Sequence, residues 1–238
     1  MRSTNRSVCF MALSSLLLSF CSPKKQEKAA DFCQLQRYAE ANTALIQRPV
    51  DSNRIVLMGN SITEGWSTAS PGFFENKHLI NRGIGGQTAV QMLGRFRADV
   101  INLKPRAVVI LAGTNDIAAN NGEVTLEEVR DQIQSMVELA QANKIQAVLC
   151  AVLPAFEYTW SPDKDPATQI PRLNFLLKDL AQNAGIPFVD YFSPMVNGIN
   201  GLDPHLAADG VHPTAEGYKQ MENILSPVLD KTVPGWRE

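Results

Sequence analysis

Residues 56–66 read VLMGNSITEGW. The apolar run Ile55-Val56-Leu57-Met58 stops at Gly59, the polar pair Asn60 and Ser61 follows, and a segment able to open a helix comes next. Two explanations fit a hydroxyl at such a junction. Ser61 either caps the coming helix or is a nucleophile held at the carboxyl edge of a buried strand. Outward from this stretch the same rhythm recurs, with apolar runs at residues 78–81, 107–112, 146–152 and 187–190. Their hydrophobicity is continuous rather than alternating, as in strands covered on both faces. Helical patterns lie between and after them at residues 88–103, 125–143, 168–184 and 213–229, and one more precedes the first strand at 31–47. In the clearest, Thr125 and Glu128 form a capping box, and Leu126, Val129, Ile133, Met136, Val137 and Ala140 make one apolar face. This alternation predicts an α/β fold, a five-stranded parallel sheet with helices on both sides.

The bulk numbers agree with a single domain: 238 residues, 45% hydrophobic and 19% charged. Formal net charge is −2 with no long run of one sign, so the electrostatic footprint of a nucleic-acid binder is missing. The first 30 residues read differently. Arg2 and Arg6 precede a mostly apolar stretch from Val8 to Phe20, shorter than the ~20 residues that span a bilayer. That is the pattern of a secretory signal. Leu18-Ser19-Phe20-Cys21 resembles the lipobox of bacterial lipoproteins, with Phe20 where a small residue is usual, and residues 22–28 suit a polar tether. The predicted division is a signal peptide over 1–20, a tether over 21–30 and one domain over 31–238. The expected location is outside the cytoplasm, periplasmic or anchored to the membrane through lipidated Cys21. The cysteines at 9, 21, 33 and 150 have no metal-binding spacing, and Cys150, inside an apolar run, reads as a buried free thiol.

In open parallel sheets ligands bind beyond the carboxyl ends of the strands, so the chemistry is sought in the loops there. Among three histidines, His78 begins an apolar run and reads as structural, while His205 and His212 share the last loop. In ADGVHPTAEGY, residues 208–218, Asp209 precedes His212 by three residues, a spacing at which a turn can present a carboxylate to one ring nitrogen and leave the other for Ser61. The bland alternative is a turn closed by Asp209 ahead of a helix. Candidate donors for a developing oxyanion are the Ser61 N–H, the N–H of Gly85 or Gly86, and the Asn115 amide, each of which singly fits a cap or turn better. Residues 154–167, rich in proline and aromatics, break the rhythm as a long loop.

GNSIT, NRGIGG, GTND and DGVHPTAEGY, in that order, resemble the four blocks of the SGNH hydrolases, also called GDSL esterases. The likeness runs from about Arg54 to Leu225. It implies a flavodoxin-like three-layer α/β/α sandwich and a catalytic triad of Ser61, Asp209 and His212. Ser61, Gly85 and Asn115 are the implied oxyanion donors. The surrounding sequence looks most like the platelet-activating-factor acetylhydrolase and small bacterial acyl esterase branch. Asn60 stands where the family name has aspartate. No G-x-S-x-G occurs, which argues against the commoner α/β-hydrolase fold.

The expected reaction is acyl transfer through a Ser61 acyl-enzyme, using no metal or organic cofactor. The expected substrate is a small-molecule or glycan ester carrying a short acyl group, mainly acetyl, with Phe156, Tyr158 and Trp160 as candidate faces for stacking on sugars. Alternatives are a lysophospholipase or thioesterase of the same family, transfer to a sugar rather than to water, and a non-catalytic carbohydrate-binding protein.

Overall fold

The computed structural model describes residues 31–76, 78–207 and 209–238. The expectations for a signal peptide, a tether and a lipidated Cys21 fall outside these residues. Five strands, β1 (Ile55–Gly59), β2 (Leu79–Gly83), β3 (Ala107–Leu111), β4 (Gln146–Cys150) and β5 (Phe188–Val189), form one sheet in the order β2-β1-β3-β4-β5. Every pairing is parallel. The helices are α1 (Ala39–Ile46), α2 (Ser61–Ala69), α3 (Pro71–Phe74), α4 (Ala89–Asp99), α5 (Thr114–Ile117), α6 (Leu126–Ala142), α7 (Pro166–Ala184) and α8 (Ala215–Thr232).

Side chains that alternate along each strand feed two cores. Ile55, Leu57, Val109, Leu111, Val148 and Cys150 meet Ile62 and Trp66 of α2 and Tyr218, Met221 and Leu225 of α8. On the other face Val56, Met58, Val108, Ile110, Ala147 and Leu149 meet Met92 and Phe96 of α4, Ile133 and Met136 of α6, and Leu173 and Leu177 of α7. The result is the expected three-layer α/β/α sandwich. Strands buried on both faces have no solvent side to mark with polar residues, which is why their sequences are continuous apolar runs.

The chain leaves β1 for β2 at one edge, then crosses back to β3 on the other side of β1. A crevice opens at such a reversal, beyond the carboxyl ends of the strands. Register sharpens it: Gly59 aligns with Gly83 of β2 and with Leu111 of β3, so three strands end at one level.

Some boundaries differ from expectation. The helix expected over 31–47 begins only at Ala39, because residues 31–38 form turns in which Gln34 has a left-handed φ of 54°. Helices α3 and α5 are single turns, too short to show periodicity. The capping box of α6 is present, with Thr125 Oγ1 accepting the Glu128 N–H at 3.1 Å and Glu128 Oε2 accepting the Thr125 N–H at 2.8 Å. His78 is structural, its Nδ1 2.8 Å from Asp51 Oδ2. Cys150 is a buried free thiol, and burial raises its pKa.

Candidate active site

The first turn of α2 lies hard against two strand ends. A Cβ at Gly59 would sit 2.0 Å from Thr63 Oγ1, and one at Gly83 would sit 2.0 Å from the Glu64 nitrogen. Only glycine permits that approach. Asn60 is the N-cap of α2, its side chain accepting the Ile62 N–H at 3.2 Å. The capping role belongs to Asn60, so the Ser61 hydroxyl is not needed for it.

That hydroxyl lies 2.8 Å from His212 Nε2. The other ring nitrogen, Nδ1, is 2.7 Å from Asp209 Oδ2. The second carboxylate oxygen, Oδ1, accepts the backbone N–H groups of Val211 at 2.9 Å and His212 at 2.7 Å. An ionised carboxylate only accepts, so the ring proton belongs on Nδ1 and the Nε2 lone pair faces Ser61. Partial burial pushes the Asp209 carboxyl upward, but the hydrogen bonds from His212 and Val211 outweigh it and leave the pKa below the usual carboxylate value. Side chains from positions 61, 209 and 212 thus form one hydrogen-bonded chain across two loops.

The loop after β2 supplies the opposite wall. The Gly85 N–H donates to Glu64 Oε2 at 2.8 Å, so it is engaged rather than open to a ligand. The expectation of a free donor at Gly85 is corrected accordingly. Its neighbour Gly86, at φ +76°, has an N–H that takes part in none of the described hydrogen bonds, and its carbonyl accepts from Asn120 Nδ2 at 3.1 Å. The Ser61 N–H, first in its helix, is likewise uncommitted among the described residues. Asn115 is 3% exposed and spends one Nδ2 hydrogen on the Gln87 carbonyl at 3.0 Å, leaving the other. Its neighbour Asp116 holds the start of α4 by accepting the Ala89 N–H at 2.9 Å; burial pushes this carboxyl up to about 6.

The model of the GDSL-like lipase/acylhydrolase family matches residues 57–220. The chain belongs to this family. It is therefore an ester-hydrolysing enzyme, and the resemblance read from the four sequence blocks is borne out. This acylhydrolase is 30% identical over 168 residues to human platelet-activating factor acetylhydrolase IB subunit alpha2, covering 67% of this chain and 69% of that one. Identity to an acetylxylan esterase of Xylanibacter ruminicola is 26% over 219 residues, covering 75% of this chain and 43% of that one. The crystal structure of a GDSL-like lipase from Bacteroides thetaiotaomicron matches with a TM-score of 0.81 at 47% identity, covering 84% of this chain and 98% of that one.

The aromatic loop of the acylhydrolase divides in two. Tyr158 is fully buried, its hydroxyl 3.1 Å from Thr114 Oγ1, and so cannot stack on a sugar as expected. Its surroundings are core because the loop folds back over α5. Phe156 and Trp160 are 52% and 45% exposed. Trp160 stacks on Tyr158 with centroids 4.9 Å apart and donates its Nε1–H to Asn120 Oδ1 at 3.1 Å. Asn120 in turn holds Gly86, so the exposed indole is two hydrogen bonds from the loop after β2.

Residues beneath that loop escaped the sequence reading. Arg95 is fully buried and donates to Gln87 Oε1 at 2.6 Å, Asp99 Oδ2 at 2.9 Å and the Gly59 carbonyl at 3.0 Å. Asn42 Nδ2 donates to Asp99 Oδ1 at 2.6 Å, and Arg82 Nε to Asn42 Oδ1 at 2.9 Å. An Arg–Asp pair four residues apart reads on paper as an exposed helical ion pair, and nothing local marks it as buried.

Proposed function

We propose that this acylhydrolase is a serine esterase that removes short acyl groups, chiefly acetyl, from carbohydrate esters. The carrying observation is the chain from Ser61 Oγ through the His212 ring to Asp209, at 2.8 Å and 2.7 Å. In the proposed mechanism His212 Nε2 takes the Ser61 proton while Oγ attacks the ester carbonyl carbon. Asp209 holds the ring orientation and offsets the imidazolium charge. The developing oxyanion is met by the N–H groups of Ser61 and Gly86 and the free hydrogen of Asn115 Nδ2. Collapse of the tetrahedral intermediate breaks the bond to the leaving alcohol, which takes the proton from His212. A water then loses a proton to the same nitrogen, attacks the acyl-enzyme and frees the acid and Ser61.

The substrate class rests on two supports. The relatives include a named acetylhydrolase and a named acetylxylan esterase. Near the proposed oxyanion donors stands the exposed Trp160 indole, suited to stacking on an apolar sugar face. Action outside the cytoplasm is part of the proposal and rests on the N-terminal sequence alone.

Hydrolysis of nitrophenyl esters of increasing chain length, with acetylated xylan alongside, tests this. Acetate is expected to turn over fastest, and Ser61→Ala is expected to lower kcat about 10⁴-fold or more without moving Tm. An optimum at eight carbons or longer, or Ser61→Ala activity near wild type, contradicts the proposal.

A further inference from the structure

Of the adjacent amides of Gly85 and Gly86, the first is engaged and the second is open among the described hydrogen bonds. Adjacent glycines leave a loop with wide backbone freedom, so any donor they carry must be held from outside. Two holds are visible. Glu64 Oε2 takes the Gly85 N–H at 2.8 Å, and Asn120 takes the Gly86 carbonyl at 3.1 Å. The Gly86 N–H hangs between them.

Glu64 lies three residues after Ser61, on the same face of the same helical turn. Helix geometry thus fixes the distance from the nucleophile to the residue that holds the loop. A built Cβ at Gly85 would lie 3.0 Å from Glu64 Oε2 and 3.8 Å from the Ser61 Cβ, so nucleophile, anchor and loop are in mutual contact range. A bare carboxylate here would oppose negative charge developing nearby. Its other oxygen, Oε1, meets Arg37 Nη2 at 2.9 Å. Arg37 is set in place by its own segment: Tyr38 donates to the Gly83 carbonyl, Gln87 Nε2 to the Cys33 carbonyl at 3.1 Å, and Gln91 Nε2 to the Phe32 carbonyl at 2.8 Å.

We infer that Glu64 is a positioning residue that sets the oxyanion-binding loop relative to Ser61, with Arg37 balancing its charge. This rests on the proposed esterase mechanism. The Glu64 and Arg37 side chains are 35% and 54% exposed. A pair so exposed adds little to stability, so Tm is expected to stay near the wild-type value and a fall in kcat reports positioning rather than folding.

The test measures kcat and KM on a nitrophenyl acetate, Tm, and inhibition by an alkyl boronic acid that forms a tetrahedral adduct on Ser61. Glu64→Ala is expected to lower kcat about 10- to 100-fold with KM nearly constant. The boronate inhibition constant is expected to rise by the same factor, because the adduct carries the oxyanion and the ground-state ester does not. Glu64→Gln keeps an acceptor for the Gly85 N–H and is expected to stay within about three-fold of wild type. Arg37→Ala is expected to slow the wild-type background and to change nothing further in the Glu64→Gln background. Glu64→Ala at or above the wild-type rate overturns the inference, and so does Glu64→Gln as impaired as Glu64→Ala. Fluorophosphonate labelling separates the two levels. Labelling that survives Ser61→Ala sinks the esterase mechanism and this inference with it, whereas Ser61-dependent labelling with an unaffected Glu64→Ala rate sinks the inference alone.

Discussion

The two walls of the site are held in opposite ways. The loop after β2 rests on buried polar groups: Gln87 and Arg95 are fully buried, Asp99 is 1% exposed, and their bonds reach β1, α1 and α4. The loop carrying Asp209 and His212 buries Met195, Leu202, Ala207 and Val211, but its polar groups are held by short-range turns at the surface. Asp209 accepts the N–H groups two and three residues on, Asp203 that of His205, and Asn197 those of Ile199 and Gly201. The Asp209 and His212 side chains are 54% and 41% exposed. The contrast matches the two tasks proposed. Donors that stabilise a developing charge act best when they need not reorganise, which calls for a rigid, dry support. An imidazole that passes protons to a leaving alcohol and takes them from water needs access to both, and a local turn is enough to aim it.

The strongest way to break this comparison is to remove Arg95. Arg95→Ala leaves Asp99 buried beside Asn42 without its ion-pair partner, and the expected loss is about 3–5 kcal/mol of unfolding free energy, read by urea denaturation near neutral pH. A loss below about 1 kcal/mol shows that the wall is not supported from beneath.

Next in size is the pH response of Asp116. Its folded pKa of about 6 lies above the unfolded value of 3.8, so the native state binds the proton more tightly. The resulting stabilisation is full below the unfolded pKa and is lost as pH rises through about 6. Asp116→Asn, which cannot ionise, is expected to gain on wild type by up to about 3 kcal/mol between pH 4 and pH 7. Parallel stability curves for the two proteins contradict the burial argument.

The smallest effect on stability is expected on the exposed wall. Asp209→Asn is expected to lower Tm only slightly, although kcat falls about 10⁴-fold because asparagine holds the ring in the wrong tautomer. The hydrogen bonds that hold the Asp209 pKa down stabilise the turn above the usual carboxylate pKa, and that contribution fades as pH falls. A Tm drop in Asp209→Asn as large as that of Arg95→Ala would erase the distinction between the walls.

The exposed wall is the legible one. Asp209 and His212 sit three residues apart, and the turn joining them is local, so spacing alone suggests their contact. The other wall is assembled from α1, β1, α2, β2 and α4, whose contributions lie far apart in the chain. The aromatic loop shows the same limit: Phe156, Tyr158 and Trp160 alternate along one stretch, yet only the fold back over α5 decides that Tyr158 is core. Likewise Gly85 and Gly86 are equivalent on paper, and Glu64 is what separates them.

By itself the sequence determined the layered α/β architecture and which strand ends carry glycine and polar residues, and it suggested the contact of Asp209 with His212. Each follows from local periodicity, glycine placement or short spacing. Tertiary structure alone decided which glycine amide is open, which aromatic rings face solvent and that Arg95 underlies the loop. Hydrogen-bond partnership and burial depend on neighbours brought from distant parts of the chain, and no local pattern encodes them.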